Sequence, residues 1–193
     1  MPFIFQKMVE KSKREIYIDS ATKPGASLLE LYNENETLEK IKNEKWDYVV
    51  IQERTIKALQ ENIAEFKEGA IKLVNAILKN NGTTKIIYNA CGVQRDFDLK
   101  EYEITNNHYK QIAELTNGQV CFSGKAFIHF HYSFPEIELY EDKQHPTIVG
   151  AYLTACCLFN TILNQKSSEI IYYDVLNPEI AINAQKIADE VCK

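Results

Sequence analysis

Apolar positions along the chain alternate between two periods. Glu15–Asp19 (EIYID) alternates in strand fashion, while Asp47–Gln52 (DYVVIQ), behind Trp46, is a continuous apolar run suited to a buried strand. Lys85–Asn89 (KIIYN) and Gln119–Phe122 (QVCF) read as further strands. Between them the spacing turns helical. Leu38 and Ile41 share one face of a short helix over Glu36–Glu44. A long amphipathic helix is predicted over Ala58–Asn80, with Ile63, Phe66, Ala70, Leu73, Val74, Ile77 and Leu78 on its apolar stripe and Asn80, Asn81 and Gly82 ending it. Tyr102–Leu115 and the strongly apolar Ile148–Leu163 are helical. So is Pro178–Val191, with Asn177 placed to cap it and Pro178 in its first turn. Strands alternating with helices predict an α/β protein, a three-layer sandwich around a parallel sheet. In such sheets ligands bind at the carboxyl ends of strands. That directs attention to Gln52–Arg54, Asn89–Gly92 and the loop after Phe122.

Composition narrows the function classes. At 193 residues the chain is expected to form one domain, and 45% hydrophobic with 25% charged residues is ordinary for a globular protein. The 22 Lys and Arg are scattered among 27 Asp and Glu, for a net charge of −5, so no basic face suggests nucleic acid. No apolar run reaches 18 residues, and the start MPFIFQKMVEKSKRE lacks the apolar core of a signal peptide. The five cysteines are odd in number, form no CxxC and sit in apolar stretches, which reads as reduced core thiols. The expected location is the cytoplasm for the chain as written; a start further upstream could carry a signal peptide.

Candidate chemistry concentrates in residues 139–158, LYEDKQHPTIVGAYLTACCL. Asp142 lies three residues before His145, close enough to fold back onto the imidazole Nδ1, fix its tautomer and leave Nε2 as a general base. Pro146 suits the first turn of the following helix, and Gly150 allows close packing. A solvated pair of loop charges is the plainer reading of the spacing taken alone.

The whole segment resembles the last block of the SGNH (GDSL-like) hydrolases, in which Asp-x-x-His-Pro supplies two members of a Ser-His-Asp triad. It is most similar to an uncharacterised bacterial subfamily with the pattern L-Y-x-D-x-x-H-P-x-x-x-G-x-Y-L-x-A-C. Leu139, Tyr140, Asp142, His145, Pro146, Gly150, Tyr152, Leu153, Ala155 and Cys156 match it. Residues 21–28 (ATKPGASL) resemble the second block, whose glycine, here Gly25, lends a backbone N–H to the oxyanion hole. Residues 46–53 (WDYVVIQE) and the tail YYDVLNPEIAINAQKIADEV also resemble family segments. The resemblance implies one flavodoxin-like domain over residues 1–193 and acyl-ester hydrolysis without a cofactor. The implied substrate is a small-molecule or carbohydrate ester, with neither nucleic acid nor membrane as partner. Gln52 stands where many relatives carry an Asn oxyanion donor; it either donates there or caps a strand end. Asn89 either lines the pocket or starts a turn.

One departure is severe. The family opens with a strand and a Gly-(Asn or Asp)-Ser block carrying the nucleophile, and this sequence contains no such block. The matching region would fall before Met1, so the first, central strand is expected to be missing. That predicts a gap between the strands at Glu15–Asp19 and Asp47–Gln52, closed by direct pairing, by Phe3–Phe5 or by a partner chain such as a second copy. Three explanations stand: a late start, a degenerate hydrolase that keeps only the fold, or a stand-in by Ser20. The third leaves too little room before Trp46 and puts Ile18 where the motif has glycine, so Ser20 reads as a strand-end hydroxyl. Weak or absent esterase activity is expected, and a non-catalytic binding or scaffold protein is the alternative.

Lesser candidates are His129 and His131, which would share one face of a strand and could ligate a metal, although no further ligand completes a set. His108 is expected to be solvated, and Cys156 and Cys157 to be core. Cys91 follows a strand end without a feature that would activate it, and Glu53 is expected to pair with Arg54. No glycine-rich phosphate loop is present.

Overall fold

The computed structural model describes residues 2–91, 96–173 and 175–192. Its helices are α1 (Pro2–Lys11), α2 (Leu28–Tyr32), α3 (Asn35–Asn43), α4 (Thr55–Ala58), α5 (Ala64–Asn80), α6 (Leu99–Thr116), α7 (Ser123–Ser133), α8 (Ile148–Leu163) and α9 (Pro178–Val191). Its strands are β1 (Tyr48–Ile51), β2 (Lys85–Asn89) and β3 (Gln119–Cys121). They form one three-stranded parallel sheet in the order β1-β2-β3. The β1–β2 register runs from Tyr48 opposite Lys85 to Ile51 opposite Tyr88.

The chain divides into two compact units. One gathers the described residues of 1–18, 93–102 and 121–193; the other gathers those of 19–92 and 103–120. In the second unit, Phe66, Ala70, Leu73, Val74 and Ile77 of α5 join Ile51, Ile86 and Tyr88 of the strands and Tyr109 and Ile112 of α6 in one apolar cluster. Burying each of the larger side chains stabilises the fold by about 1.5–3 kcal/mol. Gly69 lets α2 lie against α5, because a Cβ there would sit 2.5 Å from the Leu29 nitrogen.

In the first unit α8 is the buried axis, with Tyr152, Leu153, Cys156, Cys157 and Phe159 all fully covered. Such a helix, apolar on every side, must be surrounded; α1, α7 and α9 pack on it. Asn160 Nδ2 donates to Asp189 Oδ1 at 2.8 Å, and the Ser167 N–H donates to Asn160 Oδ1 at 2.7 Å. That satisfies the few polar groups between α8 and α9. The Asn177 cap of α9 forms as the sequence predicts, accepting from the Glu179 N–H at 2.8 Å.

Several expectations need correction. Glu15–Asp19 is not a strand. β propensity is realised only against a neighbouring strand, and here Asp19 instead binds Lys40 Nζ at 2.9 Å and the Ser20 N–H at 2.7 Å. The anticipated gap between that strand and β1 therefore does not arise, and β1 is an edge of the sheet. Phe3–Phe5 fill no gap either: they belong to α1, whose Ile4, Phe5, Met8 and Val9 are buried at helical spacing. The long helix expected over Ala58–Asn80 begins only at Ala64, as α5; Ala58 is the last residue of the separate α4. Asn62 Oδ1 accepts the Ala64 N–H at 3.0 Å, a local bond that competes with helix continuation and starts α5 afresh. The segment holding His129 and His131 is helix α7, not a strand.

Candidate functional site

In the first unit, residues 139–147 form a short hairpin-like loop pinned by the Tyr140–Pro146 bridge. The Glu141 N–H donates to the His145 carbonyl at 2.9 Å, and the Thr147 N–H to the Leu139 carbonyl at 2.9 Å. Inside the loop Asp142 acts twice. Its Oδ1 accepts the N–H groups of Gln144 at 2.7 Å and His145 at 2.8 Å. Its Oδ2 accepts the imidazole Nδ1–H of His145 at 2.7 Å. A carboxylate that caps its own turn is thus also the orienter of the histidine.

Three hydrogen bonds to the charged form hold Asp142 well below the usual carboxylate range, the Gln144 N–H foremost. The same carboxylate raises His145 above its ordinary value. Both side chains are solvent-exposed, at 79% and 58% for His145 and Asp142. With Nδ1 committed to Asp142, Nε2 is the nitrogen open to a substrate proton.

The loop rests on the amino end of α8. Thr147 caps that helix, its Oγ1 accepting the Gly150 N–H at 3.3 Å and donating to the Glu138 carbonyl at 2.9 Å. Pro146 therefore precedes the cap rather than lying in the first turn. Gly150 serves a close approach: a Cβ there would fall 2.5 Å from the Leu139 carbonyl and 3.0 Å from Pro146 Cβ. The spacing from Leu139 through Asp142, His145 and Pro146 to Gly150 is thus one packed object.

In the second unit, Gly25 follows Pro24 in a tight turn closed by the Ala26 N–H on the Lys23 carbonyl at 3.1 Å. Its φ of +71° favours glycine. Ser27 then starts α2 with a reciprocal capping box: the Glu30 N–H donates to Ser27 Oγ, and the Ser27 N–H to the Glu30 carboxylate. At the carboxyl ends of the strands, Asn89, 1% exposed, donates its Nδ2 to Gln52 Oε1 at 2.8 Å. Gln52 is exposed. That bond leaves the Gln52 amide nitrogen outside the contact with Asn89.

Glu53 is not the surface partner of Arg54 that the sequence suggested. It is 1% exposed, and its carboxylate accepts the backbone N–H of Arg54 at 2.7 Å and that of Leu28 at 3.3 Å to each oxygen. Burial raises its pKa, and the backbone bonds oppose that rise. The Tyr109 hydroxyl accepts the Glu53 N–H at 2.9 Å. Glu53 therefore ties the end of β1 to the first turn of α2, next to the Gly25 turn. No local signal announces it, because its partner lies 25 residues away.

The remaining candidates fall elsewhere. Ser20 is exposed and ends no strand; its carbonyl accepts Lys40 Nζ at 2.6 Å. His108 is half-buried rather than solvated, its Nδ1 2.8 Å from the Ala58 carbonyl. His129 is exposed and His131 half-buried. Residues two apart in a helix lie about 200° apart round its axis, so His129 and His131 do not share a face. Among the described residues no group of three or more His, Cys, Asp or Glu is placed to hold a metal ion. All five cysteines are thiols outside any disulfide, four of them buried and Cys91 half-buried. Gly92 lies outside the described residues. No helix among those described is long and apolar enough to cross a membrane.

No family model matches the sequence, and no curated protein does. A solved structure does match in fold. It is a DUF4886 family protein from Bacteroides uniformis ATCC 8492, with a TM-score of 0.81. The match covers 96% of this chain and 86% of that one at 17% identity. At that identity the likeness concerns the α/β fold.

Proposed function

We propose that residues 1–193 form an SGNH-type ester-hydrolase domain in which Asp142 and His145 are the acid–base half of a Ser-His-Asp triad. The observation that carries this reading is the 2.7 Å bond from His145 Nδ1 to a carboxylate already fixed by two backbone N–H groups. In that role His145 Nε2 takes the proton of the attacking hydroxyl and returns it to the leaving alcohol, while Asp142 stabilises the imidazolium. Within the second unit, the Gly25 N–H and the Gln52 amide are the groups to which the resemblance gives the oxyanion-donor role, with Asn89 Nδ2 bonded to Gln52. The substrate class is a small-molecule or carbohydrate ester, and the chemistry needs no cofactor. The sequence carries no Gly-(Asn or Asp)-Ser block. For this chain, then, the proposal is weak hydrolysis in which His145 activates water directly. The exposure of both side chains, at 79% and 58%, leaves the pair in water and favours the second reading, a non-catalytic binding or scaffold protein.

Hydrolysis of p-nitrophenyl acetate by the chain, His145→Ala and Ser20→Ala separates the readings. Weak turnover lost in His145→Ala but kept in Ser20→Ala supports the hydrolase reading. Equal rates for the chain and His145→Ala overturn it in favour of the second. Loss in both variants makes Ser20 the nucleophile.

A further inference from the structure

Phe97, in the first unit, has a backbone conformation that its side chain does not favour. Its φ is +51°, in the left-handed region where bulky residues are rare. Yet the residue is only 6% exposed. A strained backbone persists only where its surroundings over-determine it, and the surroundings here are aromatic. The Phe97 ring lies face to face on His131 of α7, centroids 3.9 Å apart and planes 7° from parallel. It also meets Tyr140 at 5.7 Å, and Phe127 meets Tyr140 from α7 at 5.3 Å. Tyr140, 4% exposed, thus packs against two phenyl rings.

Tyr140 is also one end of the bridge to Pro146 that closes the loop carrying Asp142 and His145. Those two side chains are exposed and contribute little burial of their own. Their geometry depends on the base of the loop. We propose that Phe97 is a positioning residue for the Asp142–His145 pair, acting through Tyr140, with His131 as the platform that holds its ring. The pairing stands on its own geometry; only the consequence for turnover rests on the hydrolase reading.

The test is an NMR titration of the histidine Cε1–H signals, with His145 assigned by its loss in His145→Ala. Asp142 and Glu141 are the charged groups that act on His145. Phe97→Gly keeps the positive φ and removes the ring, so it separates ring from backbone. The expected result is that His145 titrates lower in Phe97→Gly than in the parent chain, by about half a pH unit or more, as its bond to Asp142 loosens. Phe97→Tyr, which keeps a stacking ring, should restore the parent value. An unchanged His145 titration in a folded Phe97→Gly overturns the proposal. If circular dichroism shows that Phe97→Gly does not fold, His131→Leu decides. It removes the platform on a half-buried helical face, and a lowered His145 titration supports the proposal while an unchanged one overturns it. Coupling without turnover would sink the hydrolase reading and leave this one standing; turnover without coupling would do the reverse.

Discussion

Asp142 and His145 owe their bond to short-range chemistry. A carboxylate three residues ahead of a histidine reaches both its backbone and its ring, so the pair was legible before any fold was known. Its pH behaviour follows by sign. The folded-state value of Asp142 is depressed, so its contribution is present above the ordinary carboxylate range and fades as pH falls through the depressed value. His145 is raised above 6.5, so its contribution is present below that value and fades as pH rises through the raised one. Asp142→Asn should return His145 to an ordinary histidine titration, read by NMR, with little change in stability because the pair is exposed. Any His145-dependent hydrolysis should rise with pH through the raised value, since only the neutral imidazole accepts a proton. Glu53 behaves oppositely to Asp142. Burial raises an acid, so its ionisation costs stability as pH climbs above its ordinary range. Glu53→Ala should lose about 1–3 kcal/mol in urea unfolding at pH 7, because the Leu28 and Arg54 N–H groups lose their acceptor. Glu53→Gln should lose less at pH 7, relative to the parent, than at pH 4, where the parent carboxyl is protonated.

Among the elements, the ones read correctly carry their own signals. Asn177 and Pro178 open α9, and the unbroken apolar run of α8 fits only a buried helix. The ones misread needed a partner. EIYID has strand character but no strand to complete, and α7 hid behind aromatic residues that suit strands as well as helices. Two glycines separate strain from collision. Gly150→Ala pushes a methyl into the Leu139 carbonyl and should cost about 1–3 kcal/mol, displacing the His145 loop. Gly25→Ala meets no atom within 4 Å and suffers only its positive φ, about 1 kcal/mol. Paired denaturant melts check the order, Gly150→Ala being the worse.

For the whole molecule, burial governs reactivity. Cys121, Cys156, Cys157 and Cys192 are buried thiols with raised pKa values: desolvation leads for the first three, with Cys157 at about 11, and the hydrogen bond with Cys157 is the largest raising cause for Cys192. A disulfide reagent should modify the half-buried Cys91 in the native protein and the other four only on unfolding; rapid labelling of more than one thiol would contradict this burial. The sequence by itself determined the α/β class, most helix and strand positions, and the Asp142–His145 turn, because periodicity, caps and an i to i+3 bond all act over a few residues. Tertiary structure decided what depends on distant partners. It left Glu15–Asp19 out of the sheet, buried Glu53 against a backbone 25 residues away, and set Phe97 on His131. These are long-range contacts, and a local pattern holds no record of which surfaces will meet.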